Sequence, residues 1–206
     1  MNYINQVTLR GTVVSINTSG QVPTIRLFVK ADRKVGNFPL VYFFDRKMLK
    51  GISIQDNVLV IGHTQNRKVQ YEGTKKSGSK TIISGDNIVK AERMLCDYFS
   101  DESLKNTEGA PSEDINRVLT RGTVTAISPI SDDDRYIRVR IATKYGDYET
   151  QCDITCSRRQ AEKTKEIEIG DEVCAVSYVF TNIKEMKDKT KIYYENVFCL
   201  DLEKMS

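Results

Sequence analysis

The chain has 206 residues, 39% hydrophobic and 29% charged, with a formal net charge of +3, a balance ordinary for a globular protein that leaves no composition pointing to disorder. Its longest apolar runs, such as Val58-Leu-Val-Ile61, fall far short of the roughly 18 residues of a membrane-spanning helix. Met1-Asn-Tyr-Ile-Asn5 has neither the basic nor the apolar region of a secretory signal, so a cytoplasmic protein without a membrane partner is expected.

Short β-branched or alternating apolar runs, separated by Gly, Asn, Asp and Ser, predict strands near 5–16, 23–31, 38–45, 56–65 and 80–92. Between the third and fourth strands, Arg46-Lys-Met-Leu-Lys-Gly51 is long enough for about one helical turn. The polar, acidic stretch 98–115 contains Gly109 and Pro111 and reads as a linker. Strands follow again near 116–128, 135–144, 147–156, 171–181 and 190–202. A helix is expected at 157–166, which lacks Gly and Pro and is rich in helix formers.

The second set of elements repeats the first. Asn5-Gln-Val-Thr-Leu-Arg-Gly-Thr-Val-Val-Ser-Ile16 matches Asn116-Arg-Val-Leu-Thr-Arg-Gly-Thr-Val-Thr-Ala-Ile127. In the same order, Ile25-Arg-Leu-Phe-Val29 matches Ile137-Arg-Val-Arg-Ile141, Ile52–Val58 matches Ile167–Val173, and Asn87-Ile-Val89 matches Asn196-Val-Phe198. The period is too long for a solenoid, whose repeats run roughly 20–50 residues, so each copy should have its own core. The fold class expected is mainly β: two tandem five-stranded OB-fold barrels, 1–97 and 116–206, joined by the linker 98–115, each with a helix or helical turn between strands three and four. Gly11 and Gly122, inside the first strands, suit the bend that a small barrel needs there.

Charge is unequal between the parts, at +8 for residues 1–97, −4 for 98–115 and −1 for 116–206. The first copy is thus the half that faces a polyanion. The cysteines Cys96, Cys152, Cys156, Cys174 and Cys199 include no Cys-x-x-Cys pair and are read as reduced thiols. No P-loop, Gly-x-Ser-x-Gly or His-Glu-x-x-His motif occurs, and His63 is the only histidine. Asp132-Asp-Asp134 reads as a solvated turn. No enzyme activity, metal or cofactor is expected.

Binding a single strand without reading its bases needs cations along the phosphates and aromatic faces under the bases. The first copy offers Arg26, Phe28, Lys30, Arg33, Lys34 and Phe44 on its second and third strands, and Arg67, Lys68, Tyr71, Lys75, Lys76 and Lys80 on its fourth-to-fifth connection. Strand alternation sets Tyr42 and Phe44 against Phe43, so at least one of these rings is core. The second copy offers Arg138 and Arg140 on one strand face, and Lys184, Lys187, Lys189 and Lys191 in its hairpin, with Tyr193 and Tyr194 just beyond. Glu185, Asp188 and Glu195 dilute that field.

With Asn5–Gly11, Asp56–Gly62, Gln65–Lys68 and Thr81–Ile88 of the first copy, and Asn116–Gly122 and Arg158–Glu162 of the second, the chain resembles the bacterial single-stranded DNA-binding protein family, duplicated in tandem. The resemblance implies single-stranded DNA as partner, RNA being the alternative on the same surface and a protein ligand in the grooves the other. It also implies coating of strands exposed in replication, recombination or transfer, and a homodimer bringing four barrels together. The family often stacks bases on tryptophan, of which this chain has none. Phe44 stands at one such position, Ser157 at its counterpart, and Val69 at another. The C-terminal Asp201-Leu-Glu-Lys-Met-Ser206 does not match the family's acidic recruiting tail. This divergence suits a protein of a plasmid, phage or other mobile element.

Overall fold

The computed structural model describes residues 3–30, 36–70, 77–91, 114–130, 135–185, 189 and 191–205, with the backbone alone for 68–70, 77–79, 191 and 192. Ten strands carry the fold: β1 (Ile4–Asn17), β2 (Thr24–Phe28), β3 (Leu40–Tyr42), β4 (Asn57–Gln70), β5 (Ser77–Lys90), β6 (Ile115–Pro129), β7 (Tyr136–Tyr145), β8 (Tyr148–Ser157), β9 (Glu172–Glu185) and β10 (Lys191–Lys204). A 3₁₀ turn, Arg46–Leu49, separates β3 from β4. A short helix α1 (Arg159–Lys163) running into the 3₁₀ turn Thr164–Glu166 separates β8 from β9. No helix among the described residues is long and apolar enough to cross a membrane.

Both expected barrels are present. The strands of the first run β1-β2-β3-β5-β4 and close back on β1; those of the second run β6-β7-β8-β10-β9 and close on β6. Each has one parallel pair, β3 with β5 and β8 with β10. Closure makes the first strand of each barrel serve two neighbours. β1 pairs with β4 over Val7–Thr12 and with β2 over Thr12–Asn17, with a register shift between Val13 and Ser15. Gly11 sits where the three strands meet, and a β-carbon there would fall on the Phe28 carbonyl oxygen. Gly122 meets the Ala142 carbonyl in the same way. Glycine is required by close backbone approach, with the bulge just beyond it.

Alternation supplies the core. Along β2, Ile25 and Leu27 point in and Thr24, Arg26 and Phe28 point out; along β7, Ile137, Val139 and Ile141 point in. Phe43 is fully buried and Phe44 is 54% exposed, as alternation across the aromatic triplet requires. Burying each such aliphatic or aromatic side chain is worth about 1.5–3 kcal/mol.

The ladders revise part of the repeat. Thr12 opposes Phe28 while Thr123 opposes Ala142, so Arg26 corresponds to Arg140, not Arg138. Likewise Val58 opposes Lys90 and Val173 opposes Lys204, so Asn87-Ile-Val89 corresponds to Asp201-Leu-Glu203. In the second strand the misalignment is a slide of two residues, which leaves every side chain on the same face of its strand. β3 is shorter than the expected 38–45, and the two long hairpins extend further than expected, to Gln70 and Glu185.

The barrels join edge to edge. β1 and β6 pair antiparallel from Ile4↔Arg121 to Arg10↔Ile115, with Val7 opposite Val118 at the centre, so the sheet is continuous through both barrels. The β2–β3 connection of barrel 1 reaches β9, where the Phe38 N–H donates to Thr181 Oγ1 at 3.2 Å. From barrel 2, the Thr143 hydroxyl, on β7, lies 3.0 Å from the Ile4 carbonyl oxygen and 3.1 Å from that of Arg121. Tyr145, at the end of β7, stacks on His63 of β4 with ring centroids 3.9 Å apart.

Candidate nucleic-acid interface

The outer face of barrel 1 carries its clearest platform at the end of β3. Alternation from the buried Phe43 exposes the Phe44 ring, and the Arg67 guanidinium from β4 lies over it, 4.9 Å from its centroid. That geometry offers an aromatic face to a base and a cation to the phosphate beside it. Among the described residues Arg67 forms no ion pair. Lys68 is in β4, where only its backbone is described, and Arg33, Lys34, Tyr71, Lys75 and Lys76 lie outside the described residues.

Other expected contacts are engaged within the protein. Arg26 donates to the Phe38 carbonyl oxygen at 2.6 Å, its guanidinium lies 4.1 Å from the Tyr193 ring, and it approaches the Glu195 carboxylate at 3.6 Å. Lys80 meets the other oxygen of Glu195 at 3.5 Å. Glu195 is 5% exposed, and among the described residues its oxygens accept no hydrogen bond, so two cations of barrel 1 surround a desolvated carboxylate of barrel 2. Phe28 is half-buried against Phe38, with ring centroids 5.3 Å apart. Lys30 is exposed, and its main-chain N–H donates to the Asp114 carboxylate at 2.7 Å.

In barrel 2, Arg138 is exposed on the outer face of β7. Arg140 is held by Asp153 through two hydrogen bonds of 2.7 and 2.9 Å, which also raise its pKa. Lys184 and Lys189 are exposed. Lys191 begins β10, where only its backbone is described, and Lys187 lies outside the described residues.

The Glu195 cluster was not legible as such in the sequence, where Glu195 is simply one acid among lysines. Nor was the use of His63, whose Nδ1 lies 2.9 and 3.1 Å from the Asp86 oxygens while its ring stacks on Tyr145. Burial, and after it the charge and hydrogen bond of the Asp86 carboxylate, raise the Tyr145 phenol pKa. The thiols of Cys152 and Cys199 are also pushed up, Cys152 chiefly by burial and Cys199 by its hydrogen bond with Cys156 and by burial. Both therefore stay protonated and are poor nucleophiles. No group of three or more His, Cys, Asp or Glu capable of holding a metal occurs among the described residues.

No protein-family model matches the sequence, and comparison with curated proteins gives no match. Among solved structures, the chain is similar to the wild-type single-stranded DNA binding protein from Thermus aquaticus, with a TM-score of 0.63 and 16% identity, covering 100% of this chain and 95% of that one. A deletion variant of the same protein gives a TM-score of 0.64 at 16% identity, covering 99% and 95%. At that identity the likeness establishes the fold: two OB barrels in one chain, in the arrangement of a protein over whose length this chain extends almost completely.

Proposed function

We propose that the chain binds single-stranded DNA without reading its sequence and does no chemistry on it. The carrying observation is the exposed Phe44 ring with the Arg67 guanidinium over it, on the outer face of the barrel with the +8 charge. Stacking on a ring is worth about 1–3 kcal/mol per base and accepts every base. Of the cations expected from the sequence, those assigned to the strand are Lys30, Arg67, Arg138, Lys184 and Lys189, which form no ion pair among the described residues, together with Arg33, Lys34, Lys68, Lys75, Lys76, Lys187 and Lys191, and Tyr71 as a further ring. Arg26, Lys80 and Arg140 are assigned to holding the protein together. On this reading residues 1–97 and 116–206 are two binding units tethered by 98–115, and a homodimer presents four barrels. Its work is the coating of strands exposed in replication, recombination or DNA transfer.

The test is equilibrium binding of labelled oligo-dT over a salt series. Contact with about five phosphates gives a log K against log salt slope near −3.5. Phe44→Ala and Arg67→Ala each weaken binding, and only Arg67→Ala flattens the slope. A slope of zero, or equal affinity for duplex, overturns the reading. Tighter binding of oligo-U than of oligo-dT would instead make RNA the ligand.

A further inference from the structure

We infer that barrel 2 has its own base-stacking site, with Tyr136 as the ring and Arg138 as the cation; this rests on the single-strand reading above. In barrel 1 the Phe43 N–H donates to the Pro23 carbonyl oxygen at 2.8 Å, continuing the Thr24↔Tyr42 register and setting Phe44 opposite Val22. In barrel 2 the corresponding pair is Tyr136↔Ser157. Ser157 therefore occupies the place of Phe44, and a serine offers no face to a base. Its cross-strand partner is an aromatic that is 44% exposed, where barrel 1 has Val22. The ring has crossed to the other strand of the same rung.

The cation has moved with it. Gly62 opposes Val7 and Ser177 opposes Val118, so the position of Arg67 in barrel 1 is that of Asn182 in barrel 2, which carries no charge. Conversely, Thr24 of barrel 1 corresponds to Arg138. Residues two apart on a strand share a face at a spacing of about 6.5–7 Å, which sets Arg138 beside Tyr136 on the outer surface, both exposed. Among the described residues Arg138 forms no ion pair, unlike its neighbour Arg140. Barrel 1 builds its platform from the residue pair at the end of β3 and on β4; barrel 2 sets a ring and a cation two residues apart on β7 alone. A nucleobase of a strand that passes from one barrel to the other stacks on Tyr136, and a flanking phosphate meets Arg138.

The full chain is tested with labelled oligo-dT long enough for both barrels, about 32 nucleotides at roughly 16 per barrel. Tyr136→Ala is expected to weaken binding about 5- to 150-fold, the range of one lost stack, and Tyr136→Phe to bind within about twofold of the parent, about 0.4 kcal/mol. Adding Ser157→Phe to Tyr136→Ala returns the ring to the strand that barrel 1 uses and recovers most of the loss, which a variant acting through misfolding would not do. Unchanged binding by Tyr136→Ala alongside loss by Phe44→Ala overturns this inference and leaves the single-strand reading standing. Equal losses for Tyr136→Phe and Tyr136→Ala, or no rescue by Ser157→Phe, overturn it too. A parent protein that ignores oligo-dT at low salt overturns both.

Discussion

Val7 and Val118 face one another across the centre of the β1–β6 ladder, and each occupies the same position in its own barrel. The two barrels are thereby related by an approximate two-fold axis through that rung. One side-chain bridge recurs on both sides of it. Where the β1–β4 ladder stops at Val7↔Gly62, Asn5 extends it with its side chain, its amide donating to the Thr64 carbonyl at 2.7 Å and accepting from the Thr64 N–H at 3.0 Å. Asn116 does the same to Val179, at 2.8 Å each way.

Asn5→Leu and Asn116→Leu therefore each leave a buried main-chain N–H and carbonyl without a partner. A loss of about 2–3 kcal/mol is expected for each, read from urea denaturation as a lower midpoint. Matching losses at the two sites would express the two-fold relation in energy.

Gly11→Ala and Gly122→Ala test barrel closure. The added β-carbons meet main-chain carbonyls of Phe28 and Ala142, which cannot swing aside as the tip of a long side chain would. Each substitution is expected to cost about 1–3 kcal/mol, the range for forced overpacking, again measured by denaturant midpoint.

Much of this arrangement was legible in the sequence because it follows from local pattern. Alternation separated Phe43 from Phe44, and the repeated Arg-Gly-Thr-Val marked the same bend in both barrels. What escaped depends on partners distant in sequence. Sliding Ile137-Arg-Val-Arg-Ile141 by two residues preserves every inward and outward position, so only the ladder identifies Arg140 as the counterpart of Arg26. Tyr136 gains meaning only opposite Ser157, and Glu195 only between Arg26 and Lys80.

The cores also trade volume between copies. The rung after Tyr42↔Ser84 sets Phe43 against Gly85, whose missing β-carbon makes room for the ring. The rung after Thr155↔Phe198 sets Cys156 against Cys199. One large and one minimal side chain are replaced by two of middle size. Cys156→Phe alone should overpack barrel 2 by about 1–3 kcal/mol. Adding Cys199→Gly should recover most of that loss, giving a favourable coupling in a double-mutant cycle.

Acid should weaken both barrels through one recurring ion pair. Asp56 accepts from Lys90 at 2.8 Å and from the Ser53 N–H at 2.8 Å; Asp171 accepts from Lys204 at 2.7 Å and from the Glu168 N–H at 2.8 Å. Each lysine, with the main-chain donor, holds its carboxylate below the ordinary value of 3.8. A pKa lower in the folded than in the unfolded chain contributes stability above the unfolded value, and that contribution is lost as pH falls through the folded one. Asp56→Asn and Asp171→Asn should then reduce stability at neutral pH, and reduce it progressively less as pH falls below the ordinary carboxylate value, as followed by thermal melts across the acid range.

Glu195 gives the sharpest separation of structure from binding. Its carboxylate is desolvated between Arg26 and Lys80, at 3.6 and 3.5 Å, across the junction of the barrels. Removing it leaves two cations facing each other without their anion, a heavier penalty than loss of an exposed pair. Because both cations remain partly accessible, with side-chain exposures of 17% and 30%, the expected cost of Glu195→Ala is about 1–3 kcal/mol, below that of a fully buried pair. If Arg26 and Lys80 serve the junction, the melt moves while oligo-dT affinity at moderate salt stays within about twofold, or 0.4 kcal/mol. A gain in affinity with a steeper salt dependence would show instead that Glu195 had been holding both cations away from the strand, and would return Arg26 and Lys80 to the binding surface.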